Sequence, residues 1–212
     1  MSHSVKCLIS AGPTREWIDS VRYISNPSTG KMGYALASIA KSKRFEVTLV
    51  SGPVEIEPPE GVKFFSVESA IQMHEVLLSE MIDADLIIMS AAVSDHRPEY
   101  LGAEKVKKND FPSQLKLIRN PDILSEICKI KRSNQTVVGF AAETSNLLEN
   151  AREKLISKNL DWVVINDVSK KGRGFGTDTN EVTLLSKLNK CHTIPLGSKM
   201  EIATGILNKV WK

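Results

Sequence analysis

Residues 9–33 read I-S-A-G-P-T-R-E-W-I-D-S-V-R-Y-I-S-N-P-S-T-G-K-M-G. An apolar run from Val5 to Ser10 leads in as a strand, and an amphipathic helix from about Lys31 to Ser42 leads out. About twenty residues of Gly, Pro, Ser, Thr, Asn and charge separate the two. A strand-to-helix connection in an α/β unit usually takes roughly 2 to 6 residues. One this long, at the carboxyl end of a first strand, predicts a binding loop.

Known phosphate loops fit it only in part. A Walker A loop needs Gly, four residues, then Gly-Lys-Ser/Thr. Gly30-Lys31 is present, but Ser25 stands for the first glycine and Met32 for the hydroxyl. A dinucleotide fingerprint needs G-x-G-x-x-G directly after the strand. Ser28 to Gly33 keeps the last two glycines of that pattern and lies far from the strand. The acidic residue that would hold a ribose is missing too, because Val47-Thr48-Leu49-Val50 runs into Ser51-Gly52-Pro53. What remains is a polar approach to a helix N-terminus, whose free N–H groups and dipole favour an anion. An ordinary capped helix behind a long surface loop accounts for the same residues.

The 212 residues, 42% hydrophobic and 25% charged, suit one α/β domain with a sizeable core. A net charge of +3 is too mild to argue for nucleic acid, yet leaves room for a local basic site. Cys7, Cys128 and Cys191 are scattered and odd in number, which speaks against a disulfide frame or a zinc site. His3, His74, His96 and His192 lack metal-ligand spacing. With no apolar signal region and no run of 18 apolar residues, a soluble cytoplasmic protein without membrane contact is expected.

Further along, strands are expected at Glu46–Ser51, Val62–Ser66, Leu86–Ser90, Thr136–Ala141 and Trp162–Ile165, with a closing antiparallel pair at Glu181–Ser186 and His192–Leu196. Helices are expected at about Ser69–Ile82, Pro121–Lys129, Asn146–Lys158 and Ser198–Val210. The alternation predicts a Rossmann-like, mostly parallel sheet flanked by helices, with a small antiparallel extension. The loops 11–29, 91–95, 142–144 and 166–167 leave strand carboxyl ends and converge on one crevice. Asp95 sits where such folds place functional side chains, though an Asx turn or helix cap explains it equally. Residues 96–117 lose apolar periodicity, and Lys105, Lys107 and Lys108 make them either a solvated face or a mobile flap over an anionic substrate. Leu115 to Ile118 closes that segment as a short strand. Asn120 is the expected cap and Pro121 the first turn of the next helix. Lys154 and Lys158, four apart, share one helix face. The glycines and basic residues of Ser169–Asn180 suit an anion or a flexible turn. No nucleophile–base pair is evident, so positioning and electrostatic stabilisation of phosphates are the chemistry expected.

The ordered blocks A-G-P-T-R-E, V-R-Y-I-S-N-P-S-T-G-K-M-G, V-T-L-V-S-G-P, A-A-V-S-D, E-K-V-K-K, R-N-P-D-I-L, V-G-F-A-A-E-T, A-R-E-K-L-I-S-K-N-L-D, N-D-V-S and G-F-G-T-D-T-N-E-V-T-L-L span about Leu8 to Leu185. Together they resemble phosphopantothenate–cysteine ligase, a step of coenzyme A biosynthesis. The resemblance implies a single ligase domain over 1–212, of the free-standing bacterial type, with a flap at about 96–117. It implies activation of 4′-phosphopantothenate by CTP, aided by Mg²⁺, to an acyl-cytidylate. L-Cysteine then attacks, giving 4′-phosphopantothenoylcysteine, CMP and pyrophosphate. Eukaryotic members use ATP. A homodimer and a separate phosphopantothenoylcysteine decarboxylase as functional partner are also implied.

Residue by residue, the resemblance assigns Asn26 to the acyl centre, Arg22 to a substrate anion or loop support, and Lys105 to charge developing in the reaction. It assigns Asp95 to the nucleotide, with Ser90, Ala91 and Ala92 lining that site by backbone. Asn120, Pro121, Asp122, Ile123 and Phe140 fall on pyrimidine-binding segments, Lys154 and Lys158 on the nucleotide phosphates, and Gly12 and Thr14 on the phosphate loop. Pro27 and Thr29 depart from the residues other members carry, which bears on the loop's conformation. Two rivals are an NAD(P)-binding oxidoreductase, disfavoured by the missing fingerprint, and a catalytically silent nucleotide-binding protein, disfavoured by Asn26 and Lys105.

Overall fold

A computed structural model describes residues 4–169, 174 and 176–211. His3 and five residues of the basic Ser169–Asn180 loop (Lys170, Lys171, Gly172, Arg173 and Phe175) lie outside the described residues. Strand β1 (Lys6–Ala11) is followed by a hairpin of β2 (Arg15–Trp17) and β3 (Tyr23–Ser25), then α1 (Lys31–Ser42), β4 (Glu46–Ser51) and β5 (Lys63–Ser66). Helix α2 (Ala70–Glu80) and a 3-10 turn (Met81–Asp83) lead to β6 (Leu86–Met89), β7 (His96–Pro98) and β8 (Leu117–Arg119). Then come α3 (Ile123–Ile130), β9 (Thr136–Glu143), α4 (Leu147–Ser157), β10 (Trp162–Asp167), β11 (Thr179–Ser186), β12 (Cys191–Ser198) and α5 (Lys199–Val210).

Eight strands form one sheet in the order β12-β11-β10-β9-β6-β1-β4-β5. From β10 to β5 the neighbours are parallel, and β11 and β12 add an antiparallel edge. The chain grows outward from β1 through β4 to β5, then returns to lay β6 on the other flank of β1. Strand order therefore reverses between β1 and β6, and the loops at their carboxyl ends must diverge, which opens a crevice there.

Side-chain alternation divides the interior into two layers. Cys7, Ile9, Ala11, Leu86, Ile88, Val138 and Val164 face α1 and α5. Leu8, Ile87, Met89, Val137 and Val163 face α2, α3 and α4. Because both faces are covered, the central strands read as continuous apolar runs. Leu8, Ile9, Leu86, Ile87 and Ile88 are fully buried, and each such side chain contributes about 1.5–3 kcal/mol. Helices α2 and α5 each start with a capping box, Ser69 with Gln72 and Ser198 with Glu201. Cys7 and Cys128 are buried and Cys191 is exposed, all three as free thiols. Burial pushes the Cys7 thiol far up and the Cys128 thiol to about 11. Among the described residues no helix is long and apolar enough to cross a membrane.

Three local expectations are corrected. The long connection after β1 carries the β2–β3 hairpin, whose three-residue strands are too short for periodicity to reveal. The flap is rooted by β7 pairing with β8, and its closing strand is Leu117–Arg119 rather than Leu115–Ile118. Helix α3 is capped by Asp122, which accepts from the Ser125 N–H at 3.1 Å. Asn120 lies outside the helix: it donates to the Ser94 carbonyl at 2.8 Å and accepts from Arg97 at 2.9 Å.

At the opposite end of the sheet, Asp161 accepts from Lys131 (2.7 Å), Lys187 (2.6 Å) and the Val137 N–H (2.9 Å). Burial disfavours its ionised form, but the two ammonium groups and the backbone donor outweigh that and lower its pKa. Asp161→Ala leaves Lys131, 11% exposed, without its partner. The expected loss is about 3 kcal/mol, read by chemical denaturation. A lowered folded pKa means that the wild-type contribution is present above the unfolded value of about 3.9 and is lost as pH falls through the folded value.

Candidate active site

The carboxyl ends of β1 and β6 are sewn together. Ser90 donates to the Ser10 carbonyl at 2.6 Å, and the Ala91 N–H donates to Ser10 Oγ at 3.2 Å. The Ala92 N–H reaches the Gly12 carbonyl at 2.9 Å, and the Thr14 N–H reaches the Ala92 carbonyl at 3.3 Å. Thr14 Oγ1 accepts from the Ser94 N–H at 3.0 Å. Gly12 and Thr14 thus join the two loops instead of lining the crevice. Helix α1 comes in against this seam. A Cβ on Gly33 would stand 2.5 Å from Ala11 Cβ and 2.8 Å from Ser90 Oγ, and one on Gly52 would stand 1.7 Å from the Pro13 carbonyl oxygen. Only glycine permits backbone approach of that kind.

Above the seam lie two adjoining cavities of about 490 and 410 Å³. Ala91, Val93, Asp95, Phe140 and Lys154 line both, so they are two lobes of one cleft. The larger lobe adds the turn Asn120 to Ile123 together with Lys158. The smaller adds Asn26, Ser90, Ala92 and the start of α1 at Gly30 to Gly33. Asn26 donates its amide to the Ala92 carbonyl at 3.0 Å, which fixes it between the two seamed loops.

Two lysines of α4 supply positive charge. Lys154 Nζ donates to the Phe140 carbonyl at 2.7 Å. Burial, then the neighbouring Lys158, pull its pKa down, while Glu143, Asp122 and Asp95 pull it up. Lys158 holds both oxygens of Asp122, at 2.9 and 2.8 Å. Burial of Asp122 opposes ionisation, but Lys158 and the Ser125 N–H carry its pKa below the usual range.

Arg22 and Lys105 lie away from the cavities. Arg22 donates to the Val106 carbonyl at 3.0 Å, stands 3.6 Å from Asp19, and stacks 4.2 Å over the Phe111 ring. Asp19 has no solvent exposure. It accepts from the N–H groups of Val21 (2.9 Å), Arg22 (2.8 Å) and Val106 (3.3 Å). The hairpin loop and the flap therefore close on one carboxylate, directly beside Lys105, whose own side chain is exposed. Glu16, buried on β2, accepts from the Ala70 N–H at 3.0 Å and ties the hairpin to the start of α2.

With this geometry in view, comparison with known proteins is direct. The sequence matches the family described as "DNA/pantothenate metabolism flavoprotein C-terminal domain" over residues 2–212. The chain belongs to that family. It is 46% identical over 204 residues to the "Coenzyme A biosynthesis bifunctional protein CoaBC" of Bacillus subtilis, covering 96% of this chain and 50% of that protein. It thus spans about half the length of the curated relatives it matches. Among solved structures, the C-terminal domain of a CoaBC protein superposes with a TM-score of 0.83 at 39% identity, covering 97% of this chain and 93% of that one. A Cab2 mutant in complex with phosphopantothenate-cysteine shares the fold, with a TM-score of 0.75 at 18% identity over 97% of this chain and 87% of that one.

In this member of the flavoprotein C-terminal domain family, the smaller lobe takes three residues from segments that the sequence offered as loop or anion sites without naming them, and one that it did not offer. Lys31, Asn166, Asn180 and Lys199 line the smaller lobe. Asn166 at least closes a strand whose polar end points to the crevice. Lys199 stands 168 positions from Lys31 in the chain and carries no signal beyond the capping box around it.

The Asp19 clasp makes a specific forecast. Burial raises the Asp19 pKa, but the three backbone donors and then Arg22 lower it further. Asp19→Ala is expected to speed amide exchange at Val106 and across the flap while β1 and β6 stay protected. In the wild type the same release is expected as pH falls below the ordinary carboxylate range, because a lowered folded pKa makes the clasp a feature of the ionised form. Exchange mass spectrometry at two pH values checks both.

Proposed function

We propose that this chain joins 4′-phosphopantothenate to L-cysteine at the expense of a nucleoside triphosphate, with CTP favoured. The observation that carries the proposal is the two-lobed cleft at the strand-order reversal, with Asn26 in one lobe, the Asn120–Ile123 turn in the other, and Lys154 between them. Membership of a pantothenate-metabolism family and relatives named for coenzyme A biosynthesis support it.

In the first step a pantothenate carboxylate oxygen bonds to the α-phosphorus of CTP, and the bond to pyrophosphate breaks. In the second, the cysteine amine attacks the acyl carbon, loses a proton, and CMP leaves. Each step needs charge held and atoms aligned more than it needs a nucleophile from the protein. Asn26 orients the acyl carbonyl by amide donation. Lys154 and Lys158 face the phosphates. Backbone groups of Asn120 to Ile123, beside Phe140, read the edge of cytosine. Lys105 arrives with the flap and meets the charge developing at the α-phosphate, and Arg22 sets the flap's position through Val106.

Among the described residues no group of three or more His, Cys, Asp or Glu is arranged to hold a metal. Magnesium bound to phosphates takes only one or two carboxylates. Asp95, lining both lobes, fits that need. When bound, the ion would neutralise phosphate charge. A cytoplasmic homodimer working beside a phosphopantothenoylcysteine decarboxylase completes the proposal.

The test is pyrophosphate release with 4′-phosphopantothenate, L-cysteine and Mg²⁺, run with CTP and with ATP. Release with CTP and formation of 4′-phosphopantothenoylcysteine are expected. Release with ATP alone overturns the assignment of the base pocket, and release with neither supports a silent nucleotide binder. Asn26→Asp should lower turnover by roughly 10²–10³, the usual cost of losing such a donor, with little change in CTP affinity. Lys105→Gln should slow turnover or let the acyl-nucleotide accumulate, and wild-type kinetics would make Lys105 a surface charge.

A further inference from the structure

The smaller lobe ends at a buried lysine that the proposed chemistry leaves unused. Lys199 opens α5 and is 9% exposed. Its place is costly twice over, since burial disfavours an ammonium and the amino end of a helix repels one. Among the described residues its ammonium donates to the Gly174 carbonyl at 3.1 Å. Across from it Lys31, in the first turn of α1, is paired at 2.5 Å with Asp178, a carboxylate 86% exposed. Burial, then Lys31, pull the Lys199 pKa down, and Asp178 pulls it up. In the same lobe Asn166 Oδ1 is buried and, among the described residues, has no hydrogen-bond partner. Two lysines and an orphaned polar atom lining one cavity, with an exposed carboxylate paired to one of the lysines, describe a place built for a charged, polar guest.

We propose that Lys199, with Lys31, binds a phosphoryl group of a substrate at the α5 end of the smaller lobe. A phosphoryl dianion there accepts from both ammonium groups and from the free N–H groups at the amino end of α1, and it compensates the charge that burial penalises. Asp178 competes for Lys31, so it holds the lysine in place while the guest is absent and yields it on binding. The identity of the guest rests on the ligase proposal, which offers two sources of the same chemistry: the outer phosphates of the nucleotide and the 4′-phosphate of phosphopantothenate.

Calorimetric titration of the full chain with inorganic pyrophosphate, CTP and 4′-phosphopantothenate separates these cases. Lys199→Met keeps the aliphatic stem and removes the charge. Weakening by about tenfold or more for pyrophosphate and CTP assigns the subsite to the nucleotide tail, and weakening for 4′-phosphopantothenate alone assigns it to the pantothenate phosphate. Lys199→Arg should recover part of the loss. Affinities within twofold of wild type for all three ligands, or equal losses in Met and Arg variants, overturn the proposal. Asp178→Asn, at an exposed position, should tighten the same ligand, and unchanged or weaker binding counts against the subsite even if Lys199→Met does not fold. Lys199-dependent pyrophosphate binding without turnover leaves the subsite standing and removes the ligase. Turnover with a silent Lys199 does the reverse.

Discussion

Everything at the working end of this protein depends on how closely backbone can pack around the carboxyl terminus of β1. That strand is flanked by β4 and β6, covered by α1, and followed at once by a turn that meets the loop after β4. Gly33 and Gly52 are contact points at which a methyl group would overlap a neighbour. Because helix and strand touch there, the amino end of α1 is carried to the rim of the crevice. Because the turn at Pro13 bridges to Ala92, the two walls of the crevice are one hydrogen-bonded unit. The floor of the cleft is therefore held by backbone hydrogen bonds between its two walls.

Some polar groups build the cleft, and several of those that face into it are tied to its backbone as well. Ser10, Thr14, Ser90 and Asn120 spend hydrogen bonds on backbone of neighbouring loops. Asp19 and Arg22 do the same for the hairpin and flap. Asn26, Asp95, Lys154 and Lys158 line the cavities, with Asn26 held on the Ala92 carbonyl, Lys154 on the Phe140 carbonyl and Lys158 on Asp122. Such anchoring suits chemistry that relies on held charge, since side chains aimed at a ligand keep their geometry only if their surroundings are already satisfied.

Much of the fold was legible because the central strands are apolar on both faces and the helices carry clear apolar stripes and caps. The parallel sheet and the convergence of loops followed from that alternation, while the reversal of strand order at β1 appears only in the folded sheet. The β2–β3 hairpin was not legible: Arg-Glu-Trp and Tyr-Ile-Ser have no period to read, and they pair because Asp19 and Glu16 satisfy the backbone around them. The cap of α3 was misplaced by two positions because Asn120 and Asp122 are both good caps, and Asn120 is claimed by tertiary bonds. In the cleft, the family resemblance pointed to Asn26, Asp95, Phe140 and the α4 lysines, all of which line it. It also pointed to Gly12 and Thr14, which join the loops beneath it, and to Arg22 and Lys105, which lie away from its cavities. Lys199 had no local pattern, since only the folded sheet brings α5 to α1.

The three thiols differ in a way that has a practical side. Cys7 and Cys128 are withdrawn from solvent and held protonated, so they are poor partners for maleimides or for disulfide exchange with small thiols. Cys191 is exposed and begins β12, whose other end delivers the chain to α5 at the cleft. At roughly 3.3 Å per residue, the strand sets that sulfur on the order of 20 Å from the ligand-facing rim. The wild-type chain thus already carries a single labelling position, remote enough for a fluorophore or a surface tether that leaves the cleft undisturbed.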